Sequence, residues 1–166
     1  MLNCDIRSYG AVGDGATMNT AAVQAAIDDC ARCGGGRVTL TEGRYLCGFI
    51  AMKSGVELHI ERDAVLLGST DAADYPEIET TFWRTEYAPR FNKRCFIYAE
   101  GCEDVAITGR GAIDCQGEAY IEPLSRERAM HSLWPYARKP HPALPGDENV
   151  DPFIKNIRSY SPARVV

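Results

Sequence analysis

What is scarce in these 166 residues bounds what the chain can be. No apolar run approaches the roughly 20 residues a membrane-spanning helix needs, so no membrane partner is expected. Positive charge is in deficit: 18 Lys and Arg stand against 23 Asp and Glu, for a net charge of −5. Nucleic acid and anionic membranes favour a basic face, so neither is an expected partner. An acidic sugar stays open, because a few local Arg or Lys side chains can bind one inside an acidic protein. The start lacks a secretory signal, since Met1 leads into Leu2-Asn3-Cys4-Asp5 with no basic or apolar stretch. A cytoplasmic location is the expectation.

The cysteines lack the even count and regular spacing of a secreted disulfide framework. There are seven: Cys4, Cys30, Cys33, Cys47, Cys95, Cys102 and Cys115. Cys30-Ala31-Arg32-Cys33 is a lone CxxC. No second ligand pair follows at zinc spacing, and its place at a helix C-terminus is the wrong end for stabilising a redox thiolate. Gly10, Gly13 and Gly15 precede a helix, but a dinucleotide fingerprint needs a third glycine where Met18 stands, and no Walker lysine is present. No metal and no cofactor is expected.

What is present reads as one globular domain by length and composition. Asn19–Cys33 reads as a helix. Val23, Ala26, Ile27, Cys30 and Ala31 form one apolar stripe at i, i+3, i+4, i+7 and i+8. Asn19 or Thr20 can serve as N-cap, and Gly34 suits the left-handed C′ position. After it come short strands. These are Arg37–Leu40, a second around Tyr45–Ile50, the strictly alternating Val56–Ile60, then Ala64–Leu67, Phe96–Ala99, Val105–Thr108 and Gly111–Asp114. No Asn-Gly or Asp-Gly hairpin turn joins them. Very short strands with polar corners suit coils stacked along an axis, with Val38, Val56 and Leu66 marking similar strand positions. The helix then caps the first coil, whose core and strand edges are otherwise bare. The strand pattern lapses over 71–94 (Tyr75-Pro76, Trp83, Tyr87-Ala88-Pro89) and again over 118–162. In the second lapse Trp134, Tyr136, Arg138, Lys139 and His141 offer sugar-binding chemistry, against the plainer reading that they pack the loop onto the solenoid.

These residues resemble a known family. Asp5-Ile6-Arg7-Ser8-Tyr9-Gly10-Ala11-Val12-Gly13-Asp14-Gly15, the helix, and Gly34-Gly35-Gly36-Arg37-Val38 resemble the opening of the pectate-lyase-like β-helix superfamily. Leu58–Thr70, Asp74-Tyr75-Pro76 and Val105–Asp114 are similar to glycoside hydrolase family 28, the polygalacturonases and their relatives. The chain departs from the family pattern at Thr41, where proline is common, and at Cys115, where glycine usually follows the Asp. The resemblance implies an all-β, right-handed parallel β-helix with an N-terminal capping helix. Segments 1–36 (N-terminal segment and cap), 37–117 (first coils), 118–162 (long irregular loop) and 163–166 (start of a further coil) would form one incomplete domain. It further implies hydrolysis of pectic polysaccharide or oligogalacturonides with inversion, one carboxylic acid protonating the leaving oxygen and one carboxylate activating water. Two alternatives share the solenoid: a polysaccharide lyase, and a non-catalytic carbohydrate-binding spike or adhesin. The Ile107–Asp114 stretch favours the hydrolase.

The family carries its chemistry in Asn-Thr-Asp, Asp-Asp, Gly-His-Gly and Arg-Ile-Lys segments. Here Asn19-Thr20 is followed by Ala21, and Asp28-Asp29 lies on the helix, where neighbouring carboxylates splay apart. None of His59, His131 and His141 is flanked by glycine, and Phe153-Ile154-Lys155 has Phe in the Arg position. No catalytic, cofactor or metal residue is assigned. Ser161-Pro162-Ala163-Arg164-Val165-Val166 reads as the start of another strand. The expectation is therefore a front portion of a longer protein, catalytically incomplete by itself and of unassigned oligomeric state.

Overall fold

A computed structural model describes residues 2–78, 94–123 and 136–138. Two units are distinguished, one running to Cys115 and the other beginning at Gln116.

The first unit is a stack of coils. Strands β1 (Leu2–Asp5), β3 (Gly36–Leu40), β6 (Val56–Ile60) and β9 (Ala106–Gly109) form one sheet, sheet A, in the order β1-β3-β6-β9. Strands β2 (Asp14–Met18), β4 (Gly43–Cys47), β7 (Ala64–Gly68) and β10 (Ala112–Asp114) form sheet B, in the order β10-β7-β4-β2. A short third sheet, C, pairs β5 (Ile50–Ala51) with β8 (Ile97–Tyr98). All these pairings are parallel. Chain order therefore passes from sheet A to sheet B to sheet C and returns one rung further on, which is a parallel β-helix. The core is the column of inward residues. Val38 and Leu58 stack in sheet A, Tyr45 and Leu66 in sheet B, and Ile50 and Ile97 in sheet C, each essentially without exposure.

Helix α1 (Thr20–Arg32) buries Val23, Ala26, Ile27 and Cys30, four of the five residues of the expected stripe. Ala31 packs at the margin of the core. Asn19 holds the N-cap position without a capping bond. Its side chain instead accepts from the Val12 amide and donates to the Val12 and Thr17 carbonyls. At the other end Gly34 has φ of 88° and donates to the Ala31 carbonyl, while Gly35 donates to that of Cys30. This is the Schellman closure, which favours glycine at C′.

The capping role is more specific than expected. The Gln24 side-chain amide accepts from the Ala51 N–H (2.9 Å) and donates to the Ala51 carbonyl (3.0 Å). Thr20 Oγ1 accepts from the Gly48 N–H at 2.7 Å. The helix thus supplies the bonds a preceding strand would give to sheet C, and blunts that edge. Gln24→Leu is expected to leave both Ala51 groups without these partners and to destabilise the chain by about 1–3 kcal/mol. Chemical denaturation measures it, and a loss confined to a few tenths would contradict this role.

Several expectations need correction. Two strands, β1 and β2, precede the helix, so sheets A and B begin before the cap. Residues Gly43 and Arg44 belong to β4, and the strand expected over Tyr45–Ile50 is interrupted between Cys47 and Ile50. There Gly48 lies against the Asp74 carbonyl and Phe49 donates to it. Val38, Val56 and Leu66 are not equivalent positions. Val38 pairs with Leu58, Val56 with Gly36, and Leu66 lies in sheet B opposite Tyr45. Within the first lapse, Ala72–Asp74 forms a 3-10 turn. In the second, a 3-10 turn at Gly117–Tyr120 is followed by β11 (Ile121–Pro123), paired antiparallel with β12 (Tyr136–Arg138). The expected irregular loop therefore contains a strand pair. Cys115 keeps a negative φ, and the left-handed turn falls on Gln116 at φ 50°.

Candidate functional site: a polar ladder and corner groove

Alternation in β6 turns Val56, Leu58 and Ile60 inward and leaves Glu57 and His59 outward and half-buried. Register then decides their neighbours. Glu57 sits between Arg37 and Ala106, and His59 between Thr39 and Thr108. The outward side chains form a continuous chain of bonds. Arg37 Nε donates to Glu57 Oε2 at 2.8 Å, Thr108 Oγ1 donates to Glu57 Oε1 at 2.5 Å, and His59 Nδ1 meets Thr108 Oγ1 at 2.7 Å. The hydroxyl has one proton and spends it on the carboxylate, so His59 Nδ1 carries the proton of their shared bond.

The Arg37 bond, with the Thr108 bond after it, holds the Glu57 carboxyl below its ordinary range. Asp14 is also held low, at about 2, chiefly by the Thr17 hydroxyl and then by the Thr17 and Ala16 amides. Both folded values lie below the unfolded ones. Their stabilisation is complete above the ordinary carboxylate range and is lost as pH falls through the folded values. The melting temperature is expected to fall between about pH 4 and pH 2. Replacing Glu57 by Gln is expected to lower it at neutral pH but to matter little at the acid end. A variant deficit that grows on acidification would contradict this.

Beside the ladder, where sheet A turns into sheet B, lies an open groove of about 390 Å³ lined by Glu42, His59, Glu61, Arg62, Asp63, Gly109 and Arg110. The arrangement suits hydrogen bonding to a polyhydroxylated or carboxylated ligand. Its carboxylates are exposed, whereas a general acid of this kind sits in a buried, apolar setting. Every resolved carboxylate shift among the described residues is downward.

The residues weighed from sequence fall elsewhere. Asp28 and Asp29 are held by different partners. Asp28 accepts from Gln24 and pairs with Lys53 at 2.9 Å, while Asp29 accepts from Tyr9 and pairs with Arg32. Burial raises the Asp28 pKa, but the Lys53 and Gln24 bonds outweigh it and leave a net lowering. Cys30 is buried and Cys33 exposed. Of the histidines, His59 reaches the groove. Trp83, Tyr87-Ala88-Pro89, His131, Trp134, Lys139, His141, Phe153-Ile154-Lys155 and Ser161–Val166 lie outside the described residues, and only the backbone of Tyr136 and Arg138 is described. Sequence reading missed Arg37, Glu57 and Thr108. The alternation of Val56–Ile60 exposes Glu57, but its partners follow from register alone.

No protein-family model matches the chain. An exo-poly-α-D-galacturonosidase of Dickeya chrysanthemi is 45% identical over 121 residues, covering 68% of this chain and 19% of that protein. A probable polygalacturonase of Vitis vinifera is 36% identical over 115 residues, covering 66% of this chain and 23% of that protein. The solved family 28 exopolygalacturonase of Yersinia enterocolitica superposes with a TM-score of 0.58 at 33% identity, covering 67% of this chain and 20% of that one. The chain spans about a fifth of the length of these relatives. Sequence and coil topology agree: the chain belongs to the polygalacturonase-like parallel β-helices of glycoside hydrolase family 28.

Proposed function

We propose that these coils belong to a glycosidase that hydrolyses pectic polysaccharide or oligogalacturonides, with inversion and a two-carboxylate mechanism. The observation that carries the reading is the 45% identity to an exo-poly-α-D-galacturonosidase. In this reading the described coils build and cap the solenoid, and the acid and base come from other residues. The 166-residue chain by itself is therefore expected to be inactive.

Reducing-end release from polygalacturonate tests this in two proteins: the 166-residue chain, and these coils carried in a chain of the relatives' length. Release by the longer protein alone, unaffected by calcium chelation, is the expected result. Chelation-sensitive formation of unsaturated products would replace the reading with a lyase, and absence of any cleavage would overturn it.

A further inference from the structure

We propose that the corner groove between sheets A and B binds one uronate residue of an acidic saccharide. The carboxylate would lie on Arg110 and Arg62, and a sugar hydroxyl would donate to His59 Nε2. This rests on the pectic reading above and adds a site within these coils.

The first support is the ladder. An ionised Glu57 can only accept, so the Thr108 proton points to it and His59 Nδ1 must donate to Thr108. In neutral His59 the outer nitrogen, Nε2, is then left as an acceptor, fixed in direction by two coils at once. No protein partner holds it among the described residues. The imidazole is about a quarter exposed (27%), enough to be reached from the groove it lines.

The second support is the company His59 keeps. Arg62 and Arg110 are exposed and make no ion pair among the described residues. Arg110 is also held in place at its backbone, where its N–H donates to the Ile60 carbonyl at 3.0 Å. A guanidinium matches a carboxylate in two parallel bonds, which an ammonium cannot do. Glu42, Glu61 and Asp63 share the groove, so carboxylates outnumber guanidiniums. Charge alone does not retain an anion there. A uronate differs from a simple anion because it brings hydroxyl donors for those carboxylates and for Nε2 together with one carboxylate for arginine.

The test titrates the 166-residue chain with trigalacturonate and, separately, with the neutral galactose trimer of the same linkage. Side-chain ¹⁵N signals of His59 Nε2 and Arg110 Nε are followed. Trigalacturonate is expected to move both, and the neutral trimer neither. Arg110→Ala is expected to weaken binding at least tenfold, the usual worth of a charge-assisted hydrogen bond. Thr108→Val, which frees the imidazole without removing a charge, is expected to weaken it less. Equal response to the two trimers, signals that do not move, or unchanged affinity in Arg110→Ala would overturn the inference. If that happens while the longer protein still hydrolyses polygalacturonate, the groove falls and the glycosidase reading stands. If hydrolysis also fails, both fall.

Discussion

Leu58→Ala is expected to lower the unfolding free energy by about 2–5 kcal/mol. Leu58 occupies the centre of β6, the third strand of sheet A, with Val38 on one rung and Ile107 on the next. It is fully buried. The substitution removes apolar contact and leaves a cavity. Parallel backbone bonds fix the rungs on both sides, so the walls cannot easily collapse into it. Ile107→Ala is the matched control. Ile107 lies in the same column one rung on, but it is 37% exposed, in a strand that pairs on one side only among the described residues. The same kind of truncation there is expected to cost about 1 kcal/mol or less. Urea denaturation of the two variants measures the contrast, and equal losses would contradict the assigned coil order.

Gly109→Ala is expected to cost about 3 kcal/mol or more. Gly109 has φ of 107°, and a Cβ built on it would stand 1.9 Å from the Ile60 carbonyl oxygen. That oxygen already accepts from the Arg110 and Gly111 N–H groups, each at 3.0 Å, so it has no room to retreat. Backbone conformation and backbone contact therefore both exclude a side chain. Gly34→Ala separates the two causes. Gly34 is also left-handed, but nothing lies within 4 Å of its built Cβ. Only the conformational cost remains there, about 1–2 kcal/mol. A similar loss at both positions would show that the close approach at the corner carries no weight. Since Gly109 and Arg110 form one wall of the groove, Gly109→Ala is also expected to disturb binding there.

The helix and the central strand were legible because their patterns are local. Apolar spacing alone picks out the face of α1, and strict alternation alone orients Val56–Ile60. The first two strands were not legible for the same physical reason. β2 buries none of its residues fully, and its register slips between Asp14 and Met18. β1 has only Cys4 fully buried. The stacking series was misread because chain distance between rungs is irregular. Val38 and Leu58 are close in sequence, whereas a long excursion separates Leu58 from its next partner, Ile107. No period survives that excursion. The ladder needed the same information. Arg37, Glu57 and Thr108 are ordinary surface residues in sequence, and only the pairing of three strands turns them into one bonded row. Gln24 likewise reads as a polar helix residue until Ala51 is placed opposite it.

We propose that these coils serve an inverting hydrolase of α-linked galacturonan, and the rest of the functional reading depends on it. Proton NMR of a fresh digest by a chain of the relatives' length, recorded before the new reducing ends mutarotate, tests it most directly. The account predicts that the β anomer of the product accumulates first. First accumulation of the α anomer, or of an unsaturated product, would contradict it.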